Sequence, residues 1–329
     1  MDVRKFFILI ALMLDIVLSL ASVSMAEEWV RKANMPTTRV DLSTSVVNGI
    51  IYAIGGQNGP YLQTVEAYDP ATDTWIKKAD MPTPRQGLRT NVVNGIIYAI
   101  GGWNGSYLST VEAYDPAIDT WMKKADIPTA MDWFSTSVVN GIIYVIGGWN
   151  GSVLSTVEAY DPVKDTWTKK ADMPTKRGLL SASVVNGIIY AIGRWDSSSD
   201  LSTVEAYDPA TDTWTKKANM PAVRELFSTS VVNGIIYAIG GAPTSVGVVE
   251  AYDPATDTWS RKADMPTDRT CLSTSVVNGR IYAIGGGMAW NVALENGVVE
   301  AYDPFRAPKR PSLDTDKLAT LWGKVKVSD

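Results

Sequence analysis

VVNGIIYAIGG, residues 92–102, decides the fold. Ile96 to Ile100 is β-branched and aromatic, too short for a helix, and closed by Gly101-Gly102, which marks a strand. Asn94-Gly95 is the strongest two-residue hairpin signal, because both residues tolerate positive φ. The stretch therefore reads as two antiparallel strands joined by a tight turn. It recurs almost unchanged at 46–56, 138–148 and 231–241. Two copies vary: at 184–194 Arg194 replaces the second glycine, and at 276–286 Arg280 opens the second strand.

Working outward, a tryptophan recurs at Trp29, Trp75, Trp121, Trp167, Trp214 and Trp259, with spacings of 46, 46, 46, 47 and 45 residues. A fixed period of this size signals a propeller or a solenoid. Four strand-like segments recur in each period. In the second copy they are 90–93, 96–100, 110–114 and 120–123. No segment has a 3.6-residue period, which excludes a helical solenoid. Four short antiparallel strands per unit make one propeller blade. The array opens with a lone fourth-strand motif at Trp29 and ends with three strands at Ala301-Tyr302-Asp303-Pro304. Joining the two gives six blades, with the N-terminal strand completing the last and leaving no exposed blade edge.

These residues carry a resemblance. Gly-Gly after an apolar strand, then Tyr, then Trp seven residues later resembles the kelch repeat. The copies are Gly55-Gly56 with Tyr68 and Trp75, Gly101-Gly102 with Tyr114 and Trp121, Gly147-Gly148 with Tyr160 and Trp167, and Gly240-Gly241 with Tyr252 and Trp259. The fourth copy keeps Tyr207 and Trp214 but has Gly193-Arg194, and the sixth has Gly285-Gly286 and Tyr302 without a following Trp. The resemblance spans 27–304 and implies a six-bladed kelch-type β-propeller, closed by its N-terminal strand and serving mostly as an interaction module.

Composition narrows the function. The net charge of −5 and the absence of histidine argue against a nucleic-acid surface and remove His-based triads and the usual zinc sites. No cofactor and no metal is expected. The single Cys271 has no intramolecular disulfide partner. Arg4-Lys5, an apolar run to Leu20, and Ser24-x-Ala26 before Glu27 read as a signal peptide over 1–26, with an uncleaved anchor as the alternative. A secreted, periplasmic or cell-surface location follows, with membrane contact only if that segment stays attached. The tail, 305–329, is not a blade. Pro308 and Pro311 interrupt it, and LATLWGKVKV at 318–327 reads either as lining the propeller wall or as a sorting or partner signal.

The repeated residues read as scaffold. Glu66, Glu112, Glu158, Glu205, Glu250 and Glu300 occur once per blade, as a structural contact would. The repeat Tyr and Trp suit the space between blades, and the Gly-Gly pairs suit close backbone approach. Strand order puts the turns between strands one and two and between three and four on one face, where the copies are uniform. The loops between strands two and three, and the blade connections, share the other face and carry nearly all the differences. Recognition needs non-repeating chemistry, so it belongs on that variable face.

Three features mark the variable face. Arg39, Arg85, Arg177, Arg224 and Arg269 recur in the connections, with Met131 in the third. They read either as one structural contact per blade, as kelch repeats commonly have, or as a guanidinium ring gripping carboxylates. Acids follow at Asp41, Asp132, Glu225 and Asp268. Trp103, Trp149, Trp195 and Trp290 occupy or border the loops, and Trp133 adds another in the third connection. These aromatics suit peptide anchors or sugar stacking, or else pack on their own blades. The leading expectation is a non-catalytic, exported module that binds a protein segment or a glycan. A sialic-acid mutarotase-like enzyme, needing a pocket acid beside a carboxylate-binding arginine such as Arg85 or Arg224, is the alternative. Copper oxidases of the galactose-oxidase kind need histidine and are excluded.

Overall fold

The computed structural model describes residues 28–193, 202–242, 247–289, 292–293 and 297–305. The proposed signal segment, the tail beyond Phe305, Trp195 and Trp290 lie outside the described residues. Residues Glu28–Pro304 form one compact unit.

The hairpin reading holds. Asn94 and Gly95 have φ of 51° and 78°, and the same pair of positive φ values recurs in the other five copies. This is the geometry that a two-residue turn needs to match strand twist. Blade 2 is built from Arg89–Val93, Ile96–Ile100, Val111–Asp115 and Thr120–Lys124 in meander order. Five blades follow this plan. The sixth combines Ser273–Val277, Arg280–Ile284 and Val299–Asp303 with the N-terminal strand Glu28–Arg31. Trp29 lies opposite Tyr302 and Arg31 opposite Glu300 in that last ladder, so the closure deduced by counting blades is present. One element exceeds expectation: the loop of blade 6 carries a small extra strand pair, Gly287–Ala289 and Val292–Ala293. No helix occurs among the described residues.

The first strand of every blade touches the first strand of both neighbours, including the first with the last, so the blades form a closed ring. Hydroxyls stitch these inner strands. Ser45 bonds Thr90 at 2.8 Å, Ser183 bonds Thr229 at 2.8 Å, and Ser275 closes the circle onto Thr44 at 2.8 Å. The hydrophobic core is divided into six inter-blade clusters. One of them unites Tyr52 and Ile54 of blade 1 with Ile97 and Tyr114 of blade 2. Each repeat tryptophan donates its indole N–H to the preceding blade, from Trp75 to Ala33 O at 3.0 Å through to Trp29 to Ala263 O at 3.1 Å. The aspartate of the turn between strands three and four does two jobs. Asp73 accepts from Tyr68 at 2.5 Å and from Ala33 N at 2.9 Å, which ties its blade to the one before. The tryptophan and tyrosine columns are thus inter-blade fillers with satisfied polar tips.

The Gly-Gly pairs are required by close approach. A Cβ on Gly56, at φ 99°, would lie 2.6 Å from Val40 O, and one on Gly102, at φ 104°, would lie 2.5 Å from Gln86 O. Only glycine takes this backbone next to another chain segment without a clash.

Candidate functional site

The connection entering a blade runs Pro-x-x-Arg-x-x in five of the six, with Met131 in the arginine's place in blade 3, and it builds the variable face in three layers. The arginine is the lowest. Arg39, Arg85, Arg177, Arg224 and Arg269 are 0% exposed. Arg269 Nη1 donates to the carbonyls of Ala283, Gly285 and Val298 at 3.2, 3.0 and 3.0 Å, while its Nη2 donates to Glu300 at 2.7 Å. Arg85 and Arg177 meet Glu112 and Glu205 at 2.8 and 2.6 Å, and Arg39 and Arg224 pair likewise with Glu66 and Glu250. The guanidinium ring gripping a ligand carboxylate is therefore corrected. Each arginine already holds its own blade's glutamate in a site closed to solvent, where breaking such a pair is costly. Burial lowers the Arg269 pKa to about 10, partly offset by Glu300, so the group stays charged at neutral pH.

The next residue forms a two-way backbone bridge to the loop between strands two and three: Val40 with Gln57, Gln86 with Trp103, Asp132 with Trp149, Glu225 with Ala242 and Thr270 with Gly287. Each bridge fixes the base of its loop to the blade entrance. The residue after it reaches the axis and takes positive φ in every blade: Asp41, Gly87, Trp133, Leu179, Leu226 and Cys271 lie between 51° and 64°. Bulky residues avoid this conformation, and it persists only where its surroundings dictate it. Here it is held by a chain of backbone bonds around the mouth of the channel. Cys271 N donates to Leu226 O at 2.9 Å, Asp41 N to Cys271 O at 3.0 Å, Gly87 N to Asp41 O at 3.0 Å and Leu179 N to Trp133 O at 2.8 Å.

Blades 1 to 3 turn this shared frame into a cleft of about 290 Å³, lined by Gln57, Tyr61, Gln86, Trp103, Tyr107, Asp132, Trp133 and Trp149. The lining is positional: Gln57, Trp103 and Trp149 are equivalent, as are Tyr61 and Tyr107, and Gln86 and Asp132. Aromatics of one blade meet each other, and one contact crosses from blade 2 to blade 1. Trp103 and Tyr107 meet edge-on with centroids 4.8 Å apart, and Trp133 and Trp149 approach to 6.2 Å. Trp103 Nε1 donates to the Tyr61 hydroxyl at 3.0 Å. Three of the five candidate tryptophans, Trp103, Trp133 and Trp149, are thus assembled on one side of the face.

The floor of the cleft is polar and incomplete. Gln57 Oε1, Gln86 Oε1 and Asp132 Oδ1 are buried atoms with no hydrogen-bond partner. Asp132 is only 5% exposed, and its carboxyl is pushed up to about 7 by burial and then by the charge of Asp41, against the pull of Arg89. Orphaned acceptors are costly and rare, so three beside one aromatic cleft mark it as a place for hydroxyl or amine donors.

Sequence reasoning missed Arg89. It opens the first strand of blade 2, where the other blades have Ser43, Ser135, Ser181, Ser228 and Ser273. It lines a small axial space of about 20 Å³ with Asp41, Trp133 and Cys271, and a hydroxyl-lined space of about 130 Å³ deeper in the channel. Its Nη1 donates to Leu88 O at 3.0 Å. Burial lowers its pKa, opposed by Asp41, Cys271 and Asp132. Burial and Asp41 push the Cys271 thiol well up, which keeps it protonated and unreactive. Among the described residues no cluster of His, Cys, Asp and Glu is placed to hold a metal ion.

This is a closed six-bladed β-propeller with a uniform face, a variable face and an aromatic cleft on the latter. Residues 24–173 and 124–286 match the family model of the KLHDC2/KLHL20/DRC7 Kelch-repeats domain, so the chain belongs to the kelch-repeat propellers. No curated protein matches it. The solved "Structure of YjhT" is similar, with a TM-score of 0.71 over 82% of this chain and 95% of that chain at 16% identity. At that identity the likeness bears on the fold alone.

Proposed function

We propose that the protein is a non-catalytic binding propeller, exported from the cell that makes it, which takes a protein segment or a glycan on its variable face. The cleft between blades 1 and 3 is the site. The observation that carries the reading is the coincidence of half-buried, non-repeating aromatics with buried acceptors that no protein group satisfies. A scaffold position repeats in every blade, as the six buried glutamates from Glu66 to Glu300 do. Trp103 does not, being Gln57 in blade 1 and Ala242 in blade 5. The kelch fold supports an interaction module. Affinity capture from the medium with the chain from residue 27, beside a glycan array, tests the proposal. The double substitution Trp103→Ala/Trp149→Ala should abolish specific capture while the blades stay folded. Unchanged capture by the double variant removes the cleft from the function.

A mutarotase-like enzyme is the second reading, favoured by one observation: Asp132 is a buried carboxyl poised near neutral pH, as a proton-transfer group would be. The arrangement around it weighs against this. Asp132 lines the cleft, whereas Arg89 lines the axial spaces, and the upper one has room for little more than a water. Asp132 and Arg89 do not line one pocket, and the acid that shares a space with Arg89 is Asp41. Faster anomer exchange of a free sialic acid in the presence of the protein, lost in Asp132→Asn, would replace the binding reading with the enzymatic one.

A further inference from the structure

The chemistry of the cleft narrows its ligand. We propose that it binds the ring of an uncharged pyranose sugar, terminal or within a glycan, against Trp103 and Trp149, with Gln57, Gln86 and Asp132 accepting from its hydroxyls. This rests on the reading of the cleft as the binding site and specifies what enters it.

Four observations converge on a neutral sugar. Aromatic rings form the walls, and the apolar C–H face of a pyranose packs on such surfaces. The floor offers orphaned acceptors at Gln57 Oε1, Gln86 Oε1 and Asp132 Oδ1, which need donors from the ligand. The Tyr61 hydroxyl accepts from Trp103 Nε1, which leaves its own O–H to donate. The cleft thus presents acceptors and a donor side by side, as ring hydroxyls require, whereas an ammonium group would use the acceptors alone. Third, no cationic side chain lines the cleft, so a sugar acid would meet Asp132 without a counter-charge. Fourth, the backbone is spoken for. The bridges of Gln57 with Val40 and Tyr61, Trp103 with Gln86 and Tyr107, and Trp149 with Asp132 and Val153 leave no strand edge for an extended peptide to pair with.

The blade that supplies Asp132, Trp133 and Trp149 is also the one that lacks the buried arginine. Met131 stands where five blades have the buried arginine, and Glu158 Oε2 has no partner. Departures from a local rule gather where a site is built.

The test titrates the full chain with methyl glycosides of glucose, galactose, mannose, N-acetylglucosamine and N-acetylgalactosamine, and with glucuronate and tetramethylammonium. Tryptophan fluorescence and ligand-observed NMR read the binding. At least one neutral glycoside should saturate, with affinity at least tenfold above that of glucuronate. Trp103→Ala and Gln86→Leu should each weaken it at least tenfold while thermal unfolding stays cooperative. Gln86→Leu keeps the shape and removes one acceptor, so its effect separates hydrogen bonding from packing. Failure of every neutral glycoside overturns the proposal, as does tighter binding of glucuronate or of tetramethylammonium. In that event, capture of a protein that depends on Trp103 and Trp149 keeps the binding-module reading standing. Loss of both brings down the two together.

Discussion

Blades 3 and 5 share one strand plan, and one buried difference between them, Met131 against Arg224, changes an ion pair. In blade 5, Arg224 reaches from the entrance to Glu250, and its Nη1 also serves the carbonyls of Ala238, Gly240 and Val248 at 3.2, 3.4 and 2.9 Å. In blade 3, Met131 fills the space against Phe134 and Ile127. Glu158, equivalent to Glu250, keeps only Thr129, at 3.0 Å on one oxygen, and leaves Oε2 unpaired. Burial raises the Glu158 pKa, offset by the Thr129 bonds and by Lys169. The Arg–Glu pair is thus dispensable to the blade's form but not free of consequence. A blade can lose its central ion pair and still fold when five others hold the ring, and the loss falls beside the cleft.

The sharpest way to break this comparison is to make blade 5 like blade 3. Arg224→Met removes a fully buried cation and strands Glu250, and losing one partner of such a pair costs about 3–5 kcal/mol. Denaturant unfolding should show that loss. A cost below about 1 kcal/mol would mean that the pairs are ornaments of the repeat and that nothing follows from the missing arginine in blade 3.

The second test uses pH. Asp132 has its folded-state pKa raised from 3.8 to about 7. The folded protein keeps a proton that the unfolded chain releases, so this contribution to stability is full below about pH 4 and is lost as pH rises to about 7. A shift of about three units corresponds to a loss on the order of 3–4 kcal/mol. Asp73, Asp119, Asp165, Asp212 and Asp257 act in the opposite sense. Their pKa values are lowered, through bonds from tyrosine hydroxyls and from backbone N–H groups of the preceding blade, so their contribution is lost as pH falls through the acid range. The difference between the wild type and Asp132→Asn therefore isolates the site. The variant should gain stability relative to the wild type as pH rises from 4 to 7. A constant difference across that range would remove Asp132 from the list of titrating groups.

The blades were legible in the sequence because their causes are local. Asn-Gly turns, five-residue apolar strands and Gly-Gly closures each act within a few residues, and a fixed period repeats them until chance is excluded. Ring closure was legible by counting strands. The arginines were ambiguous because their partners lie 26 to 31 residues away, and nothing local tells a buried guanidinium from an exposed one. A signal was present: arginine and glutamate recur together at nearly constant separation, and a pair that recurs in register is scaffold. The cleft was half legible. Trp103, Trp133 and Trp149 stood out as departures from the repeat, but Tyr61, Tyr107, Gln86 and Arg89 become visible only when equivalent positions of neighbouring blades are set side by side, since sequence neighbours 46 residues apart are spatial neighbours here.

The finest test makes one substitution in both blades and expects opposite signs. Glu250→Gln keeps the shape but discharges the partner of Arg224, leaving a buried cation uncompensated. It should destabilise by about 2–3 kcal/mol, the range for a lost hydrogen bond to a buried charged group. Glu158→Gln keeps an acceptor for Thr129 and removes a buried carboxylate that lacks the arginine partner of the other blades. It should stabilise by about 1 kcal/mol. The same chemistry changes sign because one glutamate completes a pair and the other remains after its partner is gone. If both variants lose stability, Glu158 has a role in the folded blade that its unpaired oxygen conceals. If Glu158→Gln gains stability and also loses sugar binding, the orphaned charge belongs to the site rather than to the scaffold.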